Sequence, residues 1–357
     1  MNGPLNRRTS ASLLALGLLV VLVLVGAFLP VPYVIYSPGP TVNVLGEYDD
    51  QPIIDVQGHA EYRDKGALRL LTVVSSGPDE KVNLLSAITS WVKPDVAVYP
   101  HDAIYQPDDT EKTVRRESAQ EMTSSQDNAT AAALAALGID FDKAVEIAKV
   151  DDEGPSAGIL EAGDVVLSVN GTRVDSTTGL VDAVSSLEPG AEARLLVRRA
   201  GKRLHRTVKT VAAEDDPTKA MLKVGIAPTF DFPFDVDLNI SDNIGGPSAG
   251  MMFAIGIYDV LTKGSLTHGK VIAGTGEIDP QGHVLPIGGV QQKLAGAERD
   301  GARLFLVPAE NCAEALDAQF DRDQMELVRA DTVEQAIAQI QKWAEDPDVS
   351  LTRCEQS

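Results

Sequence analysis

The sequence predicts a mixed α/β (α+β) protein in which a small domain is inserted into a larger one, with a single membrane-spanning helix in front. Three observations support this prediction: an uncharged apolar run near the N-terminus, alternating strand-like and helix-like segments, and a separate strand-rich unit that interrupts them. The 357 residues are enough for two or three domains with cores of their own.

The apolar run Ala11 to Leu29 contains 19 residues and no charge. At a rise of about 1.5 Å per residue, a helix of this length nearly crosses a hydrocarbon core of ~30 Å. Arg7 and Arg8 precede the run, so the positive-inside rule predicts a cytoplasmic segment at 1–10, an anchor in the cell membrane at 11–30 and an extracytoplasmic remainder. A cleaved signal peptide is the competing interpretation, and a twin-arginine signal is a third; all three export the bulk of the chain.

Composition excludes several functional classes. The net charge of −21 argues against nucleic acid and against charge-driven docking on anionic lipid. The five histidines and two cysteines show no metal-ligand spacing, so neither a metal nor another cofactor is expected. Outside the cytoplasm Cys312 and Cys354 are able to form one disulfide, but separate thiols are an equal alternative from the sequence.

The central unit "GPSAGILEAGDVVLSVNG", residues 154–171, combines a small-residue turn, Gly163-Asp164, an apolar strand and the turn dipeptide Asn170-Gly171. A helix and two further strands follow, and the whole unit, 139–212, resembles a PDZ domain. The resemblance implies that an extended peptide adds as a strand to the domain. It would place the peptide groove at Ala144, Val145, Ile147, Leu180 and Val184. The alternative is that these apolar side chains simply fill the core.

A second motif is "GGPSAG", residues 245–250, which runs directly into an apolar segment. Taken alone it predicts a tight turn and a helix start, where serine is a common cap. Unpaired backbone N–H groups at such a helix start also suit an oxyanion.

Further motifs follow in order along the chain. They are "RESAQ" at 116–120, "TGEI" at 275–278, "GHVLPIGG" at 282–289, Lys293 four residues after that turn, and "VPAEN" at 307–311. Together with "GGPSAG", this series closely resembles the proteolytic domain of Lon-type serine proteases.

That resemblance implies a catalytic dyad in which Ser248 is the nucleophile and Lys293 is the general base. Thr275 would hold the lysine amine, and the backbone N–H groups of Ser248 and Ala249 would stabilise the oxyanion. A lysine accepts a proton only when neutral, so burial must lower its pKa from the usual ~10.4. A lysine on an amphipathic helix is ordinarily solvated, and the sequence pattern alone does not establish its burial.

The two motif sets predict a split domain. Protease residues 40–138 and 213–345 would flank the PDZ unit, and 346–357 would form a tail. This order resembles the PDZ-containing Lon-like proteases of Gram-positive bacteria, the YlbL type. It implies a membrane-anchored, ATP-independent serine endopeptidase whose partners are peptide segments of exported or membrane proteins.

The chain departs from the Lon pattern in two ways. Gly245 stands where Lon proteases usually carry aspartate before the Gly-Pro-Ser-Ala-Gly turn. No ATPase motif is present, because "GSLTHGKV" lacks serine or threonine after Lys270.

Two other functions are considered. A penicillin-binding protein is suggested by the S-x-x-K sequence at 90–93 and by Ser-Asp-Asn at 241–243, but K-T-G is missing and Pro94 would break the required helix. A membrane-tethered PDZ adaptor with a silent protease fold is the non-enzymatic alternative, and the intact Ser248, Thr275 and Lys293 argue against it.

Overall fold

The computed structural model describes residues 7–63, 65–213, 216–241 and 243–355, with the backbone alone for 7–10. Residues 1–6 of the predicted cytoplasmic segment, the side chains of Arg7 and Arg8, and the last two residues of the predicted tail lie outside this description. So does Asp242 of the Ser-Asp-Asn sequence.

The described residues form eight α-helices and twenty strands. The helices are α1 Arg7–Phe28, α2 Leu84–Trp91, α3 Glu111–Ala136, α4 Thr177–Ser185, α5 Gly250–Leu261, α6 Val290–Arg299, α7 Cys312–Asp317 and α8 Val333–Glu345. The strands of the first half are β1 Tyr33–Asn43, β2 Glu47–Tyr48, β3 Gln51–Pro52, β4 Ile54–Gln57, β5 Ala67–Ser75, β6 Ala97–Pro100, β7 Asp142–Val150, β8 Val165–Val169, β9 Thr172–Arg173 and β10 Glu192–Arg199. Those of the second half are β11 Lys202–Lys209, β12 Val211–Ala212, β13 Ala220–Met221, β14 Val224–Asp231, β15 Asp235–Leu238, β16 Val271–Gly274, β17 Glu277–Ile278, β18 Val284–Leu285, β19 Leu304–Pro308 and β20 Glu326–Ala330.

The larger domain is a sheet covered by helices on both faces. Its strand order is β20-β19-β16-β5-β1-β6, with parallel pairing from β20 to β5 and antiparallel pairing from β5 to β6. Leu304 and Leu306 of β19 join the core with α3, α5 and α8, whereas Phe305 and Val307 join the opposite core with α6 and α7. This alternation follows from the two-residue side-chain period of a strand and produces three layers.

The same sheet combines strands from two distant parts of the chain. The strands β1, β5 and β6 precede the central unit, whereas β16, β19 and β20 follow it. A further pairing between β4 and β15 joins the two parts. The larger domain is therefore assembled across the central unit.

The central unit forms its own sheet, in the order β11-β10-β8-β7-β14, with β9 paired to β8. Its core includes Val166, Leu195 and Val197, all buried. Strand β14, which follows the predicted boundary at residue 212, pairs with β7 over eight residues and so extends this sheet. The sequence did not reveal this, since a long-range strand partner leaves no local signal.

The C-terminal segment is held against the larger domain. Cys312 and Cys354 form a disulfide, and the N–H of Arg329 donates to the carbonyl of Thr352 at 2.9 Å. Leu351 is buried as well. The predicted tail is therefore attached to the larger domain at Leu351, Thr352 and Cys354.

Helix α1 is long and apolar enough to cross a membrane, over Ala11–Phe28. None of this window is buried against the rest of the chain. A membrane span and a signal sequence both fit these properties.

Candidate active site

The nucleophile candidate Ser248 lies in a single 3-10 turn, Pro247–Ala249, that leads into α5. Gly246 precedes the turn with φ of 84°, a conformation that glycine adopts without steric cost. Helix α3 fixes the turn from outside: the Ser125 hydroxyl donates to the carbonyl of Pro247 at 2.9 Å, and the N–H of Gly246 donates to the carbonyl of Ser118 at 3.0 Å. The half-buried Ser248 therefore occupies a defined place at the start of a buried helix.

The base candidate Lys293 is buried, with only 3% of its surface exposed. Its Nζ donates to the hydroxyl of Thr275 at 3.1 Å, and that hydroxyl donates to the carbonyl of Ser248 at 3.1 Å. Thr275 itself is fully buried. Burial lowers the pKa of Lys293 to about 7, opposed only by the attraction of the Glu314 carboxylate. A neutral amine is therefore available near physiological pH.

The two candidates approach each other from opposite faces of the sheet. Ser248 precedes α5, which packs in one core, and Lys293 lies on α6, which packs in the other. Thr275 follows directly after the last residue of β16, so it sits between these layers where the strand ends. Thr275 thus links the two layers, because its hydroxyl accepts from Lys293 and donates to the carbonyl of Ser248.

A cleft of about 620 Å³ has both Ser248 and Lys293 in its lining. One wall is formed by residues 70–74 of β5, and Met122 and Ala249 add apolar surface. A second cleft of about 770 Å³ shares Val73, Val74, Asn243 and Gly245 with the first and reaches Glu80. The two clefts form a continuous groove that passes the serine.

One edge of β5 is open beside this groove. Strand β16 pairs with β5 only as far as Gly274, which lies opposite Leu70. Beyond Leu70, β5 continues through Ser75 with β1 on its other side, and no described strand pairs with it on the groove side. An open strand edge is a template for another extended chain.

Residues that the sequence analysis did not single out also support the site. Asn311 of "VPAEN" accepts from the N–H of Ile287 at 2.8 Å and donates to its carbonyl at 2.9 Å, so it fixes the turn before α6. Asn128 of α3 donates to the carbonyl of Ile278 at 3.1 Å. The motif "VPAEN" was the available signal for Asn311. Asn128 had none, because its partner lies 150 residues away.

Gly245 is placed against α3. A Cβ atom added there would lie 2.7 Å from the Cβ of Ser118 and 3.3 Å from its carbonyl carbon. The spacing excludes a side chain at this position unless the helix moves. The close approach of this turn to α3 therefore favours glycine at position 245.

The strand of the predicted peptide groove is paired on both sides in the structure. Strand β7, which carries Ala144, Val145 and Ile147, pairs with β8 on one side and β14 on the other. It has no open edge along the paired residues, and all three side chains are buried. Leu180 and Val184 of α4 are buried in the same core. Strand β14 is one edge of the sheet and β11 is the other, and α4 packs near β14.

The other sequence candidates do not assemble a site. Lys93 of the S-x-x-K sequence is exposed and its N–H donates to Ser90 at 3.1 Å in an ordinary turn. Lys270 donates to the carbonyls of Trp343 and Ala344 at 3.2 and 2.8 Å, so it caps α8. No group of three or more potential metal ligands occurs within the described residues.

Comparison with known proteins agrees with this architecture. Residues 240–342 match the model of the Lon protease (S16) C-terminal proteolytic domain, and residues 135–210 match that of the PDZ domain. Lon protease 1 of Bacillus subtilis is 29% identical over 158 residues, which is 43% of this chain and 20% of that protein. The peroxisomal Lon protease homolog 2 of Caenorhabditis elegans is 41% identical over 96 residues, 27% of this chain and 12% of that protein.

A search of solved structures found short domains with low similarity. The PDZ domain of the SdrC-like protein from Listeria monocytogenes is 20% identical and covers 23% of this chain and 86% of that domain, with a TM-score of 0.22.

The chain thus contains a serine-peptidase domain of the Lon (S16) class joined to a PDZ domain. This combination is consistent with a PDZ-containing Lon-like protease of the YlbL type. The chain spans only 12% to 20% of the length of the two Lon proteases compared above.

Proposed function

We propose that this protein is a membrane-anchored, ATP-independent serine endopeptidase that uses Ser248 and Lys293. The observation that carries the proposal is the buried amine of Lys293, which is hydrogen-bonded to Thr275 and shares a cleft with Ser248. A buried lysine without a carboxylate in hydrogen-bond contact costs stability, and a catalytic role accounts for that cost. The same observation disfavours a silent adaptor.

The reaction would proceed through an acyl-enzyme. The neutral amine of Lys293 takes the proton of the Ser248 hydroxyl as its Oγ attacks the peptide carbonyl. The N–H groups of Ser248 and Ala249, at the helix start, are the candidates to stabilise the oxyanion. The lysine ammonium then protonates the leaving amine, and water cleaves the acyl-enzyme with Lys293 again as base. Thr275 holds the Nζ in place and is a positioning residue.

The open edge of β5 accounts for how a peptide would lie in the groove. An extended substrate would pair with residues 71–74, in line with β16, and pass the serine. Such pairing requires an unfolded segment, so loops and termini of exported or membrane proteins are the proposed substrates. The proposed anchoring of the protein in the membrane rests on α1, because its apolar residues Ala11–Phe28 are not buried against the rest of the protein.

The test uses the purified full-length chain in lipid nanodiscs and an unstructured casein labelled with a self-quenching dye. We expect hydrolysis without nucleotide, no acceleration by ATP, and inhibition by a peptidyl boronate that forms a tetrahedral adduct mapped to Ser248. Absence of hydrolysis across several unstructured polypeptides, or an adduct at another residue, would contradict the proposal.

The PDZ unit is proposed to bind an extended peptide between β14 and α4. Strand β14 is one edge of the sheet, with Val224 and Ile226 partly buried on it, and Val181 of α4 is 53% exposed.

The substitution Val181→Asp is expected to weaken binding of apolar C-terminal peptides about tenfold or more, because a charge would be desolvated in the groove. Peptide titration by fluorescence anisotropy measures this. The neighbouring Asp182→Ala is the matched control, and equal affinities in both variants would place the groove elsewhere.

A further inference from the structure

Helix α2 presents an apolar face that nothing in the described protein covers. Leu85, Ile88, Trp91 and the following Val92 are 42%, 50%, 77% and 80% exposed. Their spacing of three or four residues puts them on one side of a helix. Ala87, which is 5% exposed, is the residue of this helix that is buried against the protein. A large exposed tryptophan among three aliphatic side chains is unusual on a surface with a net charge of −21.

This face is continuous with the end of the apolar helix α1. The N–H of Leu84, at the start of α2, donates to the carbonyl of Leu29 at 3.0 Å. Next to it, the N–H of Val31 donates to the carbonyl of Val82 at 2.9 Å. Phe28, the last residue of α1, is itself 82% exposed. The start of α2 is therefore tied by hydrogen bonds to the point where α1 would leave the hydrocarbon.

We propose that α2 lies in the outer membrane interface, with Leu85, Ile88, Trp91 and Val92 inserted into the lipid. This inference rests on the proposed anchoring by α1. Tryptophan favours the headgroup region, where its ring is buried and its N–H stays near water. A short amphipathic helix can bind lipid through its apolar area alone. Its binding therefore does not depend on basic residues, which this acidic protein has in short supply. A protein partner is the alternative occupant, but it would not explain the hydrogen-bonded continuity with α1.

This placement sets the position of the catalytic groove. Tyr36, which lines the cleft with Ser248, lies three residues along β1 from Tyr33, a distance of about 10 Å in a strand. Residues 77–80, which lie a few positions before α2, also line the second part of the groove. The groove therefore opens close to the membrane surface. The favoured substrates are then extended segments that are themselves tethered near the outer leaflet.

Trp91 offers a direct test, because the chain has only two tryptophans and Trp343 is 5% exposed. The full-length protein is reconstituted in phosphatidylcholine vesicles with and without lipid brominated along the acyl chain. We expect blue-shifted emission and strong quenching by the brominated lipid. Trp91→Phe is the matched control, in which the remaining emission of Trp343 should be unquenched.

The outcomes distinguish the placement of α2 from the proposed membrane anchoring by α1. Protein that floats with vesicles while Trp91 stays red-shifted and unquenched would overturn the placement of α2 and leave the anchor intact. Protein that does not float would overturn both.

In a second test, the triple variant Leu85→Ser/Ile88→Ser/Trp91→Ser should leave cleavage of a soluble peptide unchanged. Cleavage of the same peptide tethered to lipid should fall severalfold, and equal rates on the tethered peptide would contradict the inference.

Discussion

Replacing Lys293 by methionine or arginine is expected to lower kcat/KM for peptide hydrolysis by about 10³-fold or more, as is Ser248→Ala. Methionine cannot accept a proton, and arginine cannot become neutral. Because the two residues act as a unit, the double variant Ser248→Ala/Lys293→Met should be no slower than either single variant. Rates from quenched-fluorescent peptides measure this. Losses that multiply in the double variant would show that the two residues act independently.

The buried amine also predicts the pH dependence. With its pKa lowered to about 7, Lys293 is mostly protonated below this pH and mostly neutral above it. The value of kcat/KM should therefore rise about tenfold per unit below pH 7 and level off above it. A lysine with an ordinary pKa of ~10.4 would give a rate still rising at pH 9. That profile would exclude Lys293 as a general base with a lowered pKa.

Stability measurements distinguish a catalytic loss from unfolding. Burial that lowers a lysine pKa disfavours the protonated form, so the folded state binds fewer protons than the unfolded one between pH 7 and the usual lysine pKa. The stability contributed at this site should therefore rise with pH across that window. Lys293→Met removes the buried amine, and its Tm is expected to equal or exceed that of the parent, most clearly at low pH.

Adding a side chain at Gly245 is expected to destabilise the active-site turn. The Cβ of Gly245→Ala would meet the Cβ of Ser118 at 2.7 Å, an overpacking that costs about 1–3 kcal/mol and displaces the turn before Ser248. Both Tm and kcat/KM should fall, and Gly245→Asp should be worse. Differential scanning fluorimetry and the peptide assay measure the two effects.

Two variants control for this steric explanation. Gly288→Ala lies in the same cleft with no atom within 4 Å of the added Cβ, so its Tm should be nearly unchanged. Ser118→Gly removes the contacted atom, so the Gly245→Ala substitution should cost less in its presence than in the parent. A Gly245→Ala variant with unchanged Tm would show that α3 yields to the added methyl group.

Much of the site could be predicted from short motifs. The resemblance of these motifs to Lon-type proteases singled out the "GGPSAG" turn, Thr275 and Lys293, because the motifs and their order can be read directly along the chain. The family comparisons support the Lon and PDZ domains, while the roles of the individual residues remain predictions. The pairing of β14 with β7 could not be predicted, since it joins residues about 80 positions apart, and the peptide groove of the PDZ unit remains a prediction.

The sequence by itself determined the classes of element and the order of the domains, because periodicity, turn residues and motifs are local properties. Only the tertiary structure decided that the Lys293 side chain is buried rather than solvated, since the same helix pattern is compatible with both. It also decided why Gly245 carries no carboxylate: α3 approaches the turn too closely for a side chain. The burial of Lys293 and the approach of α3 both depend on packing between residues far apart in the chain.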